Sequence, residues 1–291
     1  MKKIKIINKA FSLIELSIVI LIIGILVAGV TQSSRLIKRM NIQTAQNLTQ
    51  NSPVSSISGL VVWFETISQN SFNESEKQDQ GNITIWYDLN PFTTSKVNPT
   101  APGVNNQPKY IENAFNSLPG IRFDGIDDYL RSDNISIAGS QVTYFIVSKR
   151  KSYIIYASPF STLAPGGLYD NNTDYNFRAF LELDTTMYPF RNGWGALTTH
   201  PGNNVTFISC GIYNGSTNIS YVNGVASTPG ASTGNFNIST IFLAATWQNG
   251  IFGNGWNGDI AEIIIFSRAL KNDERQDIEK YLSKKWSIKI S

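Results

Sequence analysis

The sequence predicts a mainly β protein: a long N-terminal helix, an antiparallel β-sandwich behind it, and a short closing helix. Three observations carry this reading. Phe11–Val30 (FSLIELSIVILIIGILVAGV) is a long apolar run with a single charge, Glu15. From Ile57 onward, short apolar runs alternate with clusters of Asn, Gly, Ser and Thr. A helical period returns only at the end, in Leu270–Trp286 (LKNDERQDIEKYLSKKW).

Met1–Ala10 (MKKIKIINKA) carries Lys2, Lys3, Lys5 and Lys9 and no acid. The apolar run that follows is about 30 Å long as a helix, the thickness of a bilayer hydrocarbon core. Basic residues ahead of a membrane helix place that end in the cytoplasm, and the rest of the chain on the other side. An unpaired carboxylate in such a helix costs about 2.5–3.5 kcal/mol at the bilayer centre, so Glu15 needs a partner. Cleavage between Ala10 and Phe11 would supply one, a new α-amine that pairs with Glu15 along one helix or between neighbours. Thr31–Asn51 is polar with a stripe formed by Val30, Ile37, Met40, Thr44 or Ala45, and Leu48. It extends the helix across 11–51 until Ser52-Pro53 stops it. Residues 52–56 read as a linker, and 57–291 as the head.

In the head the predicted strands are Gly59–Glu65, Ile83–Asp88, Gly120–Asp124, Val142–Lys149, Tyr153–Ala157, Phe177–Leu183, Val205–Tyr213, Ile219–Val222, Thr240–Ala245 and Ile260–Phe266. Short strands between turn-rich loops favour antiparallel pairing over parallel crossovers. Asn223-Gly224 is the best hairpin signal, because both residues tolerate positive φ. In the closing helix Asn272 or Asp273 can serve as cap, and Ile278, Tyr281, Leu282 and Trp286 form the apolar stripe.

Composition excludes several function classes. The +3 net charge is concentrated in the first ten residues; without those four lysines the chain has 20 basic and 21 acidic residues, and no basic face for nucleic acid. One cysteine, Cys210, and one histidine, His200, rule out an intrachain disulfide and multi-histidine or multi-cysteine metal sites. Cys210 reads as a buried strand thiol and His200, in Thr-Thr-His-Pro-Gly, as a surface loop residue.

The pattern KAFSLIELSIVILIIGILVAG closely resembles the prepilin leader and first helix of type IV pilins and type II secretion pseudopilins. The resemblance implies a leader at 1–10, cut by a prepilin peptidase between Ala10 and Phe11, with methylation of the new Phe11 amine. It implies that Glu15 helps dock the subunit among other pilin or pseudopilin subunits in the bacterial inner membrane. Ala10 stands where most members have glycine. The head resembles the laminin-G-like, concanavalin A-like jelly roll. The residues that carry this are Gly59-Leu-Val-Val-Trp63, Ile83-Thr-Ile-Trp-Tyr-Asp88, Leu118-Pro-Gly-Ile-Arg-Phe-Asp-Gly-Ile-Asp-Asp-Tyr-Leu130 and Trp256-Asn-Gly-Asp-Ile-Ala-Glu-Ile-Ile-Ile-Phe266. That fold hosts lectins, hydrolases and inert spacers alike.

Two sets of head residues are candidate ligand contacts. Asp124, Asp127 and Asp128 lie close enough in sequence to offer oxygens to calcium, or to cap a turn at Gly125–Asp128. Trp194, Trp247 and Trp256 sit in glycine-rich contexts where an indole could stack on a sugar, or staple a loop to the sandwich. Trp63, Trp86 and Trp286 read as core. Phe180-Leu-Glu-Leu-Asp-Thr-Thr-Met187 begins like the Glu-x-Asp-x-x-Glu strand of laminarinase-type hydrolases, but Met187 replaces the third acid and leaves Glu182 without a catalytic partner. The expectation is therefore no enzyme. The chain reads as a pilin-like filament subunit with a lectin-like head, periplasmic or extracellular, that binds a glycan or cell-surface ligand. The alternatives are a secretion pseudopilin with a non-binding head and a divergent polysaccharide hydrolase.

Overall fold

The computed structural model describes residues 12–155, 157–163, 178–179, 181–183, 185–188, 198–231, 235–248 and 251–291. The chain divides into two compact units, Met1–Gln43 and Thr44–Ser291. Helix α1, Leu13–Gln50, runs from the first into the second. In the first unit its Leu, Ile and Val side chains are exposed, from Leu13 at 86% to Val30 at 66%, and the helix is long and apolar enough to cross a membrane. Such a surface is stable only in lipid or against other helices.

The second unit opens with the end of α1. Of the stripe predicted there, Ala45 is buried, Leu48 is half-buried and Thr44 is exposed; Thr49 joins Ala45 against the head. Gln46 Nε2 donates to the Ile67 carbonyl at 3.2 Å. Residues 52–56 hold the 3₁₀ turn Pro53–Ser56, with Val54 fully buried.

The head is built on a nine-stranded antiparallel sheet. Its main path runs Val225–Ala226, Thr217–Val222, Phe207–Tyr213, Val142–Arg150, Asn257–Phe266, Leu118–Asp124 and Lys109–Phe115. The long strand Asn257–Phe266 has two partners along one edge, Leu118–Asp124 for its first residues and Leu60–Glu65 for its last. A second sheet orders Leu130–Ser132, Thr240–Leu243, Phe160–Leu163 and Arg178–Ala179. Side chains alternate along each strand, so Val62, Phe64, Tyr144, Ile146, Ile263 and Ile265 join Ile241, Leu243 and Phe160 in one core. The opposite face of the large sheet is covered as well. Helix α2, Asn272–Trp286, buries Ile278, Tyr281, Leu282 and Trp286, the predicted stripe, and Trp286 meets Phe115 edge-on at 5.6 Å. Coverage on both faces is why the central strands read as continuous apolar runs rather than alternating ones.

Between α2 and the sheet lies a fully buried polar network. Glu262 accepts from Trp63 Nε1 (2.9 Å), Trp286 Nε1 (2.8 Å), Tyr281 Oη (2.8 Å) and Lys285 Nζ (2.9 Å). Lys285 Nζ also donates to Glu65 Oε2 at 2.9 Å, and that oxygen accepts the Ile67 amide at 2.8 Å. Burial first, and then the Glu262 and Glu65 charges, push the Tyr281 hydroxyl well above its ordinary value, so it remains a donor. Thr49 hydrogen-bonds the same hydroxyl and ties the end of α1 to the network.

Most predicted strands are present with shifted ends, and the Asn223-Gly224 turn has the positive φ values, 50° and 83°, that its hairpin requires. Two predicted strands are absent. Ile83–Asp88 makes only isolated bridges: the Ile83, Trp86 and Tyr87 amides donate to Pro108, Pro99 and Ser71, so the segment threads between loops although Ile83 and Trp86 are core. The described part of Tyr153–Ala157 is irregular, with a turn at Ile155. Phe177 and Phe180 of the predicted Phe177–Leu183 strand lie outside the described residues; the rest forms Arg178–Ala179 and Leu181–Leu183. The strand Lys109–Phe115 has no counterpart in the sequence reading. At α2, Asn272 is already helical, and it is the Lys271 amide that is capped, by Glu274 Oε2 at 2.9 Å.

Candidate functional site

The predicted cleavage residues Ala10 and Phe11 lie outside the described residues, but the helix start beyond them is defined. Ser12 N–H donates to Glu15 Oε2 at 2.8 Å, and Ile14 N–H donates to Ser12 Oγ at 3.2 Å. This is a capping box, in which a hydroxyl and a carboxylate three residues apart satisfy otherwise orphaned helix-end amides. The motif Ser-Leu-Ile-Glu carries it in plain view, and the sequence reading passed over it. It gives the Glu15 carboxylate an intrachain partner in addition to any amine it meets.

In the head, Asp124 closes the strand Leu118–Asp124 and Gly125 turns the chain at φ 78°. Asp124 Oδ1 accepts the amides of Ile126 (2.7 Å), Asp127 (3.3 Å) and Asp128 (3.4 Å), and Asp128 Oδ2 accepts the Asp124 amide at 3.1 Å. The acids therefore cap the turn, as one of the two readings holds, with Phe123 and Tyr129 buried on either side. One oxygen from each of Asp124, Asp127 and Asp128 also lies within 4.8 Å of the others, a spacing one cation at about 2.4 Å from each would span. The Asp124 and Asp127 carbonyls each accept an asparagine amide, from Asn257 (2.8 Å) and Asn106 (2.7 Å). Burial, then the Asp124 charge, then the Asp127 charge, push the Asp128 carboxyl up to about 7.

The tryptophans divide differently from the prediction. Trp256 is 1% exposed and belongs to the core, so it cannot stack on a ligand; the surrounding glycines let the chain close tightly over it. Trp247 lies in the strand Ala245–Gln248 opposite Phe252 rather than in a loop, and its side chain lies outside the described set. Trp194 lies outside the described residues. Trp63, Trp86 and Trp286 are core as expected.

Glu182 lies in the strand Leu181–Leu183 opposite Met187, whose side chain is fully buried. His200 is buried, not on the surface. Its Nδ1 accepts the Gly202 amide at 2.9 Å, its ring meets Phe207 edge-on at 5.2 Å, and burial together with Arg150 holds its pKa down to about 4. Cys210 is a buried strand thiol, as read.

Sequence reasoning missed a cavity of about 320 Å³ where the loop after Asn90 faces Asp133–Ser136, at the foot of the strand Leu60–Glu65. Leu60 and Val61 belong to a predicted strand, but the other lining residues come from short aperiodic stretches that carry no motif.

Comparison with known proteins bears on both parts of the chain. Residues 7–31 match the family model described as the prokaryotic N-terminal methylation motif, a span that includes Ala10, Phe11 and Glu15. The motif supports a type IV pilin or pseudopilin subunit and implies processing by a prepilin peptidase, assembly with other pilins, and anchoring in a membrane through α1. A search of curated proteins returned no match. Among solved structures, the chain is similar to a mutant GH54 α-L-arabinofuranosidase soaked with 4-nitrophenyl α-L-arabinofuranoside. The TM-score is 0.56 at 12% identity, over 78% of this chain and 62% of that one. It is also similar to Trypanosoma rangeli sialidase in complex with sialic acid, with a TM-score of 0.50 at 13% identity, over 78% of this chain and 33% of the sialidase. The match thus spans about a third of the sialidase and less than two thirds of the arabinofuranosidase. At these identities the likeness is one of fold, a jelly-roll-like β-sandwich.

Proposed function

We propose that the chain is a minor pilin or pseudopilin that displays a non-catalytic, lectin-like head for adhesion or surface binding. The observation that carries this reading is the methylation motif at 7–31 leading into an exposed apolar helix. The basic leader keeps the N-terminus cytoplasmic. A prepilin peptidase cuts between Ala10 and Phe11, α1 assembles laterally with other pilin helices through Glu15, and the head stands outside the inner membrane. The non-catalytic assignment draws support from Met187, a buried thioether where a hydrolase of the laminarinase type would need its second carboxyl.

Mass spectrometry of the mature chain from cells with and without the peptidase tests the first part. An N-methylated Phe11 terminus that disappears without the peptidase is expected; an intact Met1 terminus in both, or a cut elsewhere, would refute it. Surface attachment by cells whose subunit keeps α1 but lacks the head tests the second, with unchanged attachment counting against adhesion.

A further inference from the structure

The cavity at the foot of the strand Leu60–Glu65 has about 320 Å³ of volume, at the small end of ligand pockets. Leu60, Val97 and Ile135 give it an apolar wall. Opposite them stand Asp133, Asn134, Ser95 and Ser136, which can present oxygens and hydroxyls.

These polar side chains are held at one end and open at the other. Asp133 Oδ1 accepts Arg131 Nε and Nη2 at 3.0 and 2.9 Å and the Thr240 hydroxyl at 2.8 Å, while Oδ2 takes no hydrogen bond among the described residues. Asn134 Nδ2 bridges to the Lys96 carbonyl at 2.7 Å and Ser95 Oγ at 3.4 Å, and its Oδ1 is likewise without a described partner. Two acceptor oxygens are therefore fixed in place before any ligand arrives, which spares the ordering cost of binding. Asn90 does the same for the loop. Its Nδ2 donates to the Leu60 and Val61 carbonyls at 3.0 Å each, and its Oδ1 accepts the Phe92 amide at 2.9 Å.

Among the described residues no cation lines the cavity: the nearby Lys96 ammonium is spent on the Asn90 carbonyl and the Arg131 guanidinium on Asp133. A phosphate or a carboxylated sugar would face Asp133 uncompensated. A neutral polyol ring fits instead: its hydroxyls meet fixed acceptors and serine hydroxyls, and its apolar face meets the aliphatic wall of Leu60, Val97 and Ile135. We propose that this cavity binds one or two rings of a neutral sugar. The inference rests on the head being a ligand-binding module and is independent of the pilin assignment.

The test uses the full chain in detergent micelles on an array of neutral oligosaccharides ending in galactose, glucose, mannose or arabinose, beside sialylated counterparts, with calcium and with chelator. Ser136 is exposed and its side chain makes no hydrogen bond among the described residues, so Ser136→Trp blocks the cavity without removing a contact. Asn134→Ala removes one of the two fixed acceptors. The expected result is binding to neutral glycans, insensitive to chelator, abolished by Ser136→Trp and weakened about tenfold by Asn134→Ala, with both variants still folded in a thermal melt. Wild-type binding that both variants retain would overturn the cavity assignment and leave the lectin reading intact. Binding lost on chelation would overturn it in favour of Asp124, Asp127 and Asp128. No binding by the folded wild type would overturn both.

Discussion

Replacing Lys285 by Met tests whether the network beneath α2 holds the head together. Lys285, Glu65 and Glu262 each have fully buried side chains, and among the described residues Lys285 is the only cation bonded to the two carboxylates. Methionine keeps the length of the side chain and most of its packing, so the loss isolates the charge. Glu262 would retain two indoles and the Tyr281 hydroxyl, and Glu65 the backbone amides of Ile67 and Ser68, but two buried negative charges would face each other without compensation. Breaking a buried pair from one side costs about 3–5 kcal/mol. For a head of this size that lowers the melting temperature by about 10 °C. Trp63 and Trp286 touch Glu262, so their fluorescence reports the event directly in a thermal melt of the detergent-solubilised chain. Adding Glu65→Gln to Lys285→Met removes the surplus charge and should recover part of the loss. A loss below about 1 kcal/mol, the scale of an exposed ion pair, would refute the reasoning.

Other expectations are as direct. The Asp128 carboxyl is held at about 7, above its ordinary 3.8, so the folded head takes up a proton that the unfolded chain releases. That contribution is complete below about pH 4 and is lost as pH rises through about 7, so Asp128→Asn should stabilise the calcium-free head at pH 8 and have no effect at pH 3.5; equal melting shifts at the two values would contradict it. Glu15→Gln preserves the cap, because glutamine also serves in a capping box, and should leave α1 helicity unchanged while reducing incorporation into filaments; unchanged incorporation would remove Glu15 from assembly. A soluble head begun at Val54 loses Ala45, Thr49 and the Gln46–Ile67 bond, and should be about 2–4 kcal/mol less stable in urea than one begun at Thr44. Equal midpoints would show that the end of α1 contributes nothing.

What the sequence disclosed, and what it withheld, follows from the range of the interactions. Phe11–Val30 and the stripe Ile278, Tyr281, Leu282 and Trp286 are local patterns, and each element they predict is present. The apolar strands were legible for the same reason, with ends set by turns such as Asn223-Gly224. Ile83–Asp88 misled because an alternating apolar segment becomes a strand only if a neighbour accepts its amides, and here loop carbonyls do. Lys109–Phe115 was overlooked because its pairing with Leu118–Asp124 is interrupted and its composition is mixed. Trp256 looked like a loop platform because its glycine neighbours resemble a turn. Gly258 is in fact small so that the indole can lie against it: a Cβ there would stand 2.4 Å from the ring. The cavity was invisible, since the loops that form it are brought together only by the finished sandwich.

The position of the strand Asn257–Phe266 has a consequence for how the protein is made. It sits at the centre of the large sheet, and Trp63 meets Glu262 across 199 residues of chain. Until the ribosome has released this segment, Leu60–Glu65, Leu118–Asp124 and Val142–Arg150 have no common partner, and the large sheet cannot be completed. By then α1, synthesised first, is already available to the membrane. In the proposed topology this delay keeps the head unfolded and threadable for as long as it must be exported, and the last strand to be translated acts as the bolt that closes it on the far side.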